Sequence, residues 1–266
     1  MIAAWKLAIK GNEKVAKTQP NSSAYYVRRG AAFGTLGQPL KTIEDCNRAL
    51  TLNPSSAIAY FNRGCAHFEL RKLEQSLADY TSAIRTNPEF AQAFNARGAI
   101  YVEVGQEELA LGDFAEAIRL EPSTSLAYSN RATVLYRQGR YERALRDMNH
   151  AVRITGDPQA YVTRATMLNQ IKLHEQSIED CNFALGLDPN YTNAYFVRGK
   201  AHLYLLQIEE AIEDLTMFIE HNPNSAIAYF TRGYAYKAAK KQQETYDDFC
   251  QALSIDPSLT DLILVK

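Results

Sequence analysis

The sequence predicts an all-α fold, an α-solenoid in which antiparallel helix pairs stack one after another along the chain. Prolines recur at a spacing of 34 residues, and within each interval apolar residues lie one helical turn apart in two separate stretches. The prolines are Pro20, Pro54, Pro88, Pro122, Pro189, Pro223 and Pro257, with one residue missing between the fourth and fifth repeats. No stretch shows the alternation that is typical of a strand.

The first helix of each repeat carries a signature of an aromatic residue, then Arg three residues later, then Gly or Ala. The aromatics are Tyr26, Tyr60, Phe94, Tyr128, Tyr161, Tyr195 and Tyr229. The arginines are Arg29, Arg63, Arg97, Arg131, Arg164, Arg198 and Arg232. Residues three and four apart share a helix face, so the signature predicts one helix in each of seven repeats.

The second helix of each repeat has a small residue and, four residues later, a larger one that is mostly apolar, such as Ala110 and Phe114. An Asp stands directly before that larger residue, at Asp45, Asp79, Asp113, Asp147, Asp180, Asp214 and Asp248. Because Arg is well suited to a partly buried bidentate contact with a carboxylate, we expect each Arg to pair with an Asp of the second helix. Gly37, Gly105 and Gly139 mark where a first helix ends, and the prolines begin the next repeat.

The order aromatic, Arg, Gly or Ala, aromatic, small residue, aromatic, Ala and Pro resembles the tetratricopeptide repeat. The resemblance covers residues 23–257 as seven repeats. It implies a right-handed superhelix whose first helices line a concave groove. Close packing of the small residues on the two helices of a repeat is expected, so Gly98→Leu should destabilise the chain.

The two ends depart from the repeat. Residues 1–22 are expected to form a partial repeat with a single helix over about residues 3–18. Residues 258–266 are similar to the start of a further first helix that is cut short. Neither end has the polar face of a capping repeat, so the ends pack on something or the chain comes from a longer array.

Composition argues against nucleic acid and membranes as partners and indicates a compartment. With 29 Lys+Arg against 30 Asp+Glu the formal net charge is -1, which does not favour binding to nucleic acid. The longest wholly aliphatic stretch, residues 262–265, is too short to span a membrane, and the N-terminus has no signal-peptide pattern. Four cysteines without CxxC spacing indicate a reducing compartment, so we expect a cytoplasmic protein.

No residue pattern supports catalysis, a metal site or a cofactor. The chain has no glycine-rich phosphate loop, GxSxG or HExxH motif. His67 and His202 occupy positions where other repeats have aromatics, and they are interpreted as packing residues. Cys46 and Cys181 fall on the apolar stripe and are interpreted as small hydrophobic residues. We therefore expect a protein that is not an enzyme.

The resemblance implies that residues on the groove side of the first helices contact a partner. The candidate partner-binding residues are Phe196, Lys200, Tyr204, Phe230, Tyr234, Lys237, Phe61, Phe68, Asn95 and Tyr136. The first six form the predicted main site, on two adjacent repeats. Only isolated pieces of the family's carboxylate clamp occur, Asn62 and Asn130 among them. The groove aromatics are interpreted either as anchors for a ligand or as packing within the solenoid.

Two functions remain open at this stage. The first is a protein-interaction scaffold that binds an extended peptide or a partner helix in its groove. The alternative is a structural segment of a longer array that stacks or self-associates through its terminal helices. If the first holds, Phe196→Ala with Phe230→Ala should abolish partner capture.

Overall fold

A computed structural model describes residues 22–261, and the predicted leading helix over residues 3–18 lies outside this range. Fourteen α-helices follow one another in the described part. Their bounds are α1 Ser23–Thr35, α2 Pro39–Leu52, α3 Ala57–Glu69, α4 Leu73–Thr86, α5 Ala91–Glu103, α6 Glu107–Leu120, α7 Ser125–Arg137, α8 Tyr141–Thr155, α9 Pro158–Gln170, α10 His174–Leu187, α11 Thr192–Tyr204, α12 Ile208–His221, α13 Ala226–Ala238 and α14 Gln242–Ile255. A 3₁₀ turn, Pro257–Leu259, comes after them. Between residues 22 and 261 there is no strand, which confirms the all-α prediction.

The chain divides into two compact units, and the boundary between Val134 and Leu135 falls inside α7. In the N-terminal unit, α1 packs on α2, α3 on α4 and α5 on α6, and each pair also contacts the next. In the C-terminal unit the pairs are α9 with α10, α11 with α12 and α13 with α14. First helices of successive repeats touch as well, α1 with α3, α9 with α11 and α11 with α13. The paired-helix architecture of a solenoid is therefore confirmed.

The small residue of the first helix allows the two helices of a repeat to approach closely. A Cβ atom built on Gly98 would lie 2.7 Å from Cε1 of Phe114, a ring that is completely buried. In another repeat the same position is Ala165, and the facing residue is the smaller Cys181, in the same core cluster. In these two repeats the larger facing residue goes with the smaller first-helix residue, as close packing requires.

Each repeat with both partners in one unit has an arginine bridge, in which the first-helix Arg holds the second-helix Asp. In the third repeat, Nε and Nη2 of Arg97 each donate to Asp113, at 2.8 Å. The other bridges are Arg29–Asp45, Arg63–Asp79, Arg164–Asp180, Arg198–Asp214 and Arg232–Asp248. Six of the predicted pairs are thus confirmed, and Arg131 with Asp147 stays a prediction.

The bridging arginine also explains the aromatic residue three positions before it. In all seven repeats the guanidinium lies between 5.5 and 5.9 Å from the centre of that ring, a cation–π arrangement. In five repeats, Nη1 donates a further hydrogen bond to the second helix of the preceding repeat. These bonds are Arg63–Asn47, Arg97–Thr81, Arg164–Asn149, Arg198–Asn182 and Arg232–Thr216. The arginine therefore fastens its own helix pair and also joins neighbouring repeats.

Candidate functional site

The predicted main site, here called the C-terminal patch, consists of Phe196, Lys200, Tyr204, Phe230, Tyr234 and Lys237. Its residues lie on α11 and α13, which are in contact. On α11, the Phe196 ring lies 5.0 Å from the Phe218 ring and packs against the core cluster that includes Phe218. Lys200 places Nζ 5.7 Å from the centre of the Phe196 ring. One side of the Phe196 ring therefore packs against the core, and Lys200 lies beside the ring.

The α13 half of the C-terminal patch repeats this arrangement. The rings of Phe230 and Tyr234 meet edge-on at 4.9 Å, and the Phe249 ring lies 5.3 Å from Tyr234 and 6.1 Å from Phe230. Lys237 places Nζ 5.9 Å from the centre of the Tyr234 ring and is exposed. Both aromatics remain half-buried, so each presents part of its surface to solvent.

Tyr204 is the most exposed aromatic of the C-terminal patch, with 58% of its surface accessible. Its ring stacks on His174 at 4.8 Å. Nδ1 of His174 lies 3.1 Å from Oδ1 of Asn169, and Nδ2 of Asn169 donates to the carbonyl of Val197 at 3.0 Å. Because Oδ1 is an acceptor, His174 donates from Nδ1. This support for Tyr204 was not found from the sequence, since His174 shares no repeated position with the patch residues.

The other candidate residues lie on helices other than α11 and α13. Phe61 is half-buried between the rings of Tyr80, at 5.6 Å, and Phe90, at 5.0 Å. Phe68 is also half-buried, near the end of the same helix. These two residues lie in the N-terminal unit, and their role in partner binding stays a prediction.

Asn95 and Tyr136 already have protein partners. The side-chain carbonyl of Asn95 accepts from Nδ2 of Asn130 at 3.0 Å. Tyr136 meets Tyr141 edge-on at 5.4 Å, and burial raises the pKa of its hydroxyl above the ordinary value. The first-helix aromatics therefore combine packing with partial exposure, and the two interpretations of them are not exclusive.

A cavity that the sequence did not reveal lies between α1 and α3 in the N-terminal unit. Its volume is about 390 Å³. The lining residues are Gly30, Ala31, Gly34, Thr35, Thr42, Asn62, Cys65, Ala66 and Glu69. Nδ2 of Asn62 is buried and has no hydrogen-bond partner among residues 22–261. The small residues on α1 were visible in the sequence, but the space that they leave depends on the distance between two helices.

Two of the cysteines and one histidine have structural roles in the described range. Cys46 and Cys181 are completely buried, and burial raises the pKa of each thiol to about 12. Nδ1 of His67 lies 3.0 Å from Asp79, so this histidine joins an arginine bridge. In the described range, no group of three or more His, Cys, Asp or Glu residues could hold a metal ion. None of the helices described here is long and apolar enough to cross a membrane.

Family models described as the tetratricopeptide repeat match residues 57–90, 125–158 and 226–259. These three stretches of the chain are tetratricopeptide repeats. Each match begins at or close to the start of a first helix and covers 34 residues, as the proline spacing predicts. A comparison with curated protein sequences gives no match.

Solved structures of tetratricopeptide repeat proteins are similar in fold. A chain of the APC/C hetero-tetramer Cut9-Hcn1 gives a TM-score of 0.72 at 16% identity, over 95% of this chain and 50% of that one. This chain thus spans about half the length of that relative. PilF of Pseudomonas aeruginosa gives a TM-score of 0.71 at 15% identity, and the match covers 85% of this chain and 99% of that one. YrrB, described as a TPR protein with an unusual peptide-binding site, gives a TM-score of 0.60 at 23% identity. The match covers 71% of this chain and 98% of that one.

Proposed function

We propose that this tetratricopeptide repeat protein is an interaction scaffold that binds an extended peptide or a partner helix through its first helices, mainly at the C-terminal patch. The family and the fold support an interaction scaffold in general. The peptide-binding site in the description of YrrB supports a peptide as the kind of ligand. The observation that carries the proposal is the grouping of half-exposed aromatics with two lysines on adjacent first helices.

The chemistry of the C-terminal patch suits an anchor residue next to an acidic one. Partly exposed aromatic rings offer a large contact area at low cost in side-chain entropy, which is typical of binding hot spots. Lys200 and Lys237 lie against rings of the patch, so a carboxylate of the ligand could pair with an amine beside an apolar contact. A peptide with an apolar or aromatic residue adjacent to Asp, Glu or a C-terminus fits this arrangement.

The test uses charge reversal, because the aromatic truncations also affect packing. Phe196→Ala and Phe230→Ala would remove ring contacts with Phe218 and Phe249, so loss of capture could follow from loss of stability. Lys200→Glu with Lys237→Glu leaves the rings in place. We expect this variant to lose partner capture from a lysate while its melting temperature stays close to that of the wild type.

The matched control carries the same change of net charge at exposed lysines in turns, Lys72→Glu with Lys172→Glu. This control should capture the same proteins as the wild type, as identified by mass spectrometry. Equal capture by the patch variant and the control would contradict the proposal. Self-association of the wild type that no patch substitution alters would favour the alternative, a segment that stacks through its ends.

A further inference from the structure

We propose that the protein forms a two-fold dimer through three second helices of the C-terminal unit, α8, α10 and α12. In this dimer α8 of one copy lies against α12 of the other, and α10 lies against its own equivalent. The partner is therefore a second copy of this chain. The proposal goes beyond ligand binding by the first helices, because the dimer uses second helices only.

The three helices follow one another with α10 in the middle. Arg164 donates to Asn149 on α8 at 2.8 Å and to Asp180 on α10 at 2.6 Å. Arg198 joins α10 to α12 in the same way. Because each second helix returns antiparallel to a first helix, all three run in the same direction, and equivalent residues occupy the same face of each helix.

The outer two helices carry opposite charges at equivalent positions. At spacings of three and seven residues, one face of α8 exposes Arg143, Arg146 and Arg153. A glutamate stands on α12 exactly 67 residues after each arginine, and the three exposed glutamates are Glu210, Glu213 and Glu220. Among residues 22–261, no ion pair of these six side chains is seen. The face thus has a basic edge and an acidic edge, and both are available to a second molecule.

The middle helix is apolar on the face where the outer two are charged. Phe183 is 60% exposed and Leu187 58%, one helical turn apart on α10. Phe183 holds the position of His150 on α8 and Met217 on α12, so it shares the face of the charged residues. Its ring stacks on Tyr161 at 5.5 Å, which supports the ring on one side. An exposed aromatic residue between charged edges is typical of a protein interface.

A two-fold axis that is parallel to α10 and lies between the copies satisfies all three helices at once. Half a turn about this axis places α8 over α12 of the second copy, with the two helices parallel. Each arginine then faces the glutamate at the equivalent position, Arg143 with Glu210 for example, and the same contacts recur across the axis. An axis perpendicular to the helices would place α8 on α8 and oppose like charges, so the charges select one arrangement.

One acidic residue of α10 opposes the association. Glu179 is exposed at the position of Arg146 on α8 and Glu213 on α12. Near the axis it would approach Glu179 of the second copy, and like charges repel. We expect Glu179→Gln to lower the Kd of the dimer severalfold, and a higher Kd would contradict the position of the axis.

The experiment reverses one charged edge at a time and measures the dimer Kd by sedimentation velocity. The α8 variant carries Arg143→Glu, Arg146→Glu and Arg153→Glu, and the α12 variant carries Glu210→Arg, Glu213→Arg and Glu220→Arg. Each variant alone has two edges of the same sign. We expect its Kd to rise about a hundredfold above that of the wild type, because the ion pairs on both sides of the axis become like-charge contacts. An equimolar mixture of the two variants has complementary edges again and should form a heterodimer with a Kd close to that of the wild type.

Matched variants separate the charge pattern from net charge and from stability. Arg48→Glu with Lys72→Glu and Arg85→Glu makes the same change of net charge at exposed residues of the N-terminal unit and should dimerise like the wild type. Phe183→Ala should raise the Kd about tenfold, as truncation of a central aromatic does at an interface. Tyr246→Ala removes an equally exposed aromatic from α14 and should leave the Kd unchanged. Far-UV circular dichroism should show the same helix content in every variant.

Several results would overturn the inference. One is a wild type that sediments as a monomer at every concentration, and another is an equimolar mixture of folded variants that stays monomeric. Self-association that persists in both reversed variants would also overturn it and would indicate contact through the ends of the chain. Dimerisation that both reversals abolish is distinct from stacking through the ends. Capture of a ligand at the C-terminal patch is tested separately, since the reversed residues lie on other helices.

Discussion

Replacing Gly98 with alanine should destabilise the protein, although alanine is the better helix former. The added Cβ would lie 2.7, 3.0 and 3.2 Å from Cε1, Cδ1 and Cζ of Phe114, closer than ordinary contacts. Phe114 is completely buried, so its ring cannot turn out into solvent. The helices of the third repeat must therefore separate slightly or the ring must leave its rotamer.

The expected change in the free energy of unfolding follows from two opposing effects. Overpacking of a well-packed core costs about 1–3 kcal/mol. The higher helix propensity of alanine offsets about 1 kcal/mol of that cost. We expect Gly98→Ala to lower the free energy of unfolding by about 1 kcal/mol, and Gly98→Leu to lower it by more, because the larger side chain cannot be accommodated by a small shift.

The neighbouring helix provides the control. Gly112 lies on α6, the partner of the helix that carries Gly98, and a Cβ there would meet nothing within 4 Å. Gly112→Ala should therefore stabilise the protein by about 1 kcal/mol through propensity alone. The two substitutions are chemically identical, so their difference of about 2 kcal/mol measures the close approach of the helices.

The assay is urea unfolding followed by far-UV circular dichroism, with hydrogen exchange of the α5 and α6 amides to locate the loss. In a repeat protein the effect should be concentrated in the altered repeat and its neighbours. Phe114→Met in the Gly98→Ala background should recover part of the loss, because methionine adapts its shape. Equal stabilisation by Gly98→Ala and Gly112→Ala would refute the packing argument.

Four further outcomes are expected. In a double-mutant cycle, Arg97→Met and Asp113→Leu should couple by about 0.5–3 kcal/mol, since either change alone leaves a largely buried charge unpaired; no coupling would contradict the arginine bridge. Leu206 is 78% exposed with a φ of 59°, so Leu206→Gly should raise the free energy of unfolding by about 1 kcal/mol in urea, and a loss would show a packing role. Cys250 is exposed and should react with a thiol reagent at pH 8, whereas Cys181 should react only after unfolding. Because burial raises the pKa of Cys181 from 9.0 to about 12, the folded state binds its proton more tightly, and stability should fall as the pH rises above 9.

The repeated residues made most of the fold predictable. The aromatic, Arg and Asp residues recur at fixed positions, and in six of the seven repeats the Arg and Asp form the same bridge, so their spacing predicts which helices pair. Gly37, Gly105 and Gly139 were predicted to end first helices, and each has a positive φ. The equivalent turns with Arg71 and Lys172 adopt the same left-handed conformation without glycine, so there the turn is set by the flanking helices.

The site was less predictable because it depends on distances between helices. Phe196 and Phe230 were selected by position alone, and the sequence did not show that Phe218 and Phe249 support them. A signal for one of these contacts was present, since Phe218 replaces the Ala found at its position in the other repeats. The cavity beside Asn62 had a weaker signal, since Gly34 stands where the other repeats have a larger residue, but one small residue does not show that a space is left.

The second hydrogen bond of the bridging arginine makes the repeats interchangeable. Arg63 reaches Asn47, 16 residues before it, and Asp79, 16 residues after it, so the joint between repeats has the same form on each side of a 34-residue block. Excision of residues 57–90 would bring Asn47 opposite Arg97 at that same separation. One residue is missing between the fourth and fifth repeats, and there Arg164 donates to Asn149 at a separation of 15 residues instead. The hydrogen bond between repeats is therefore kept. Duplication or loss of whole blocks by recombination would therefore preserve this arginine hydrogen bond where two blocks meet, and the length of such a chain can change without loss of the bond between repeats.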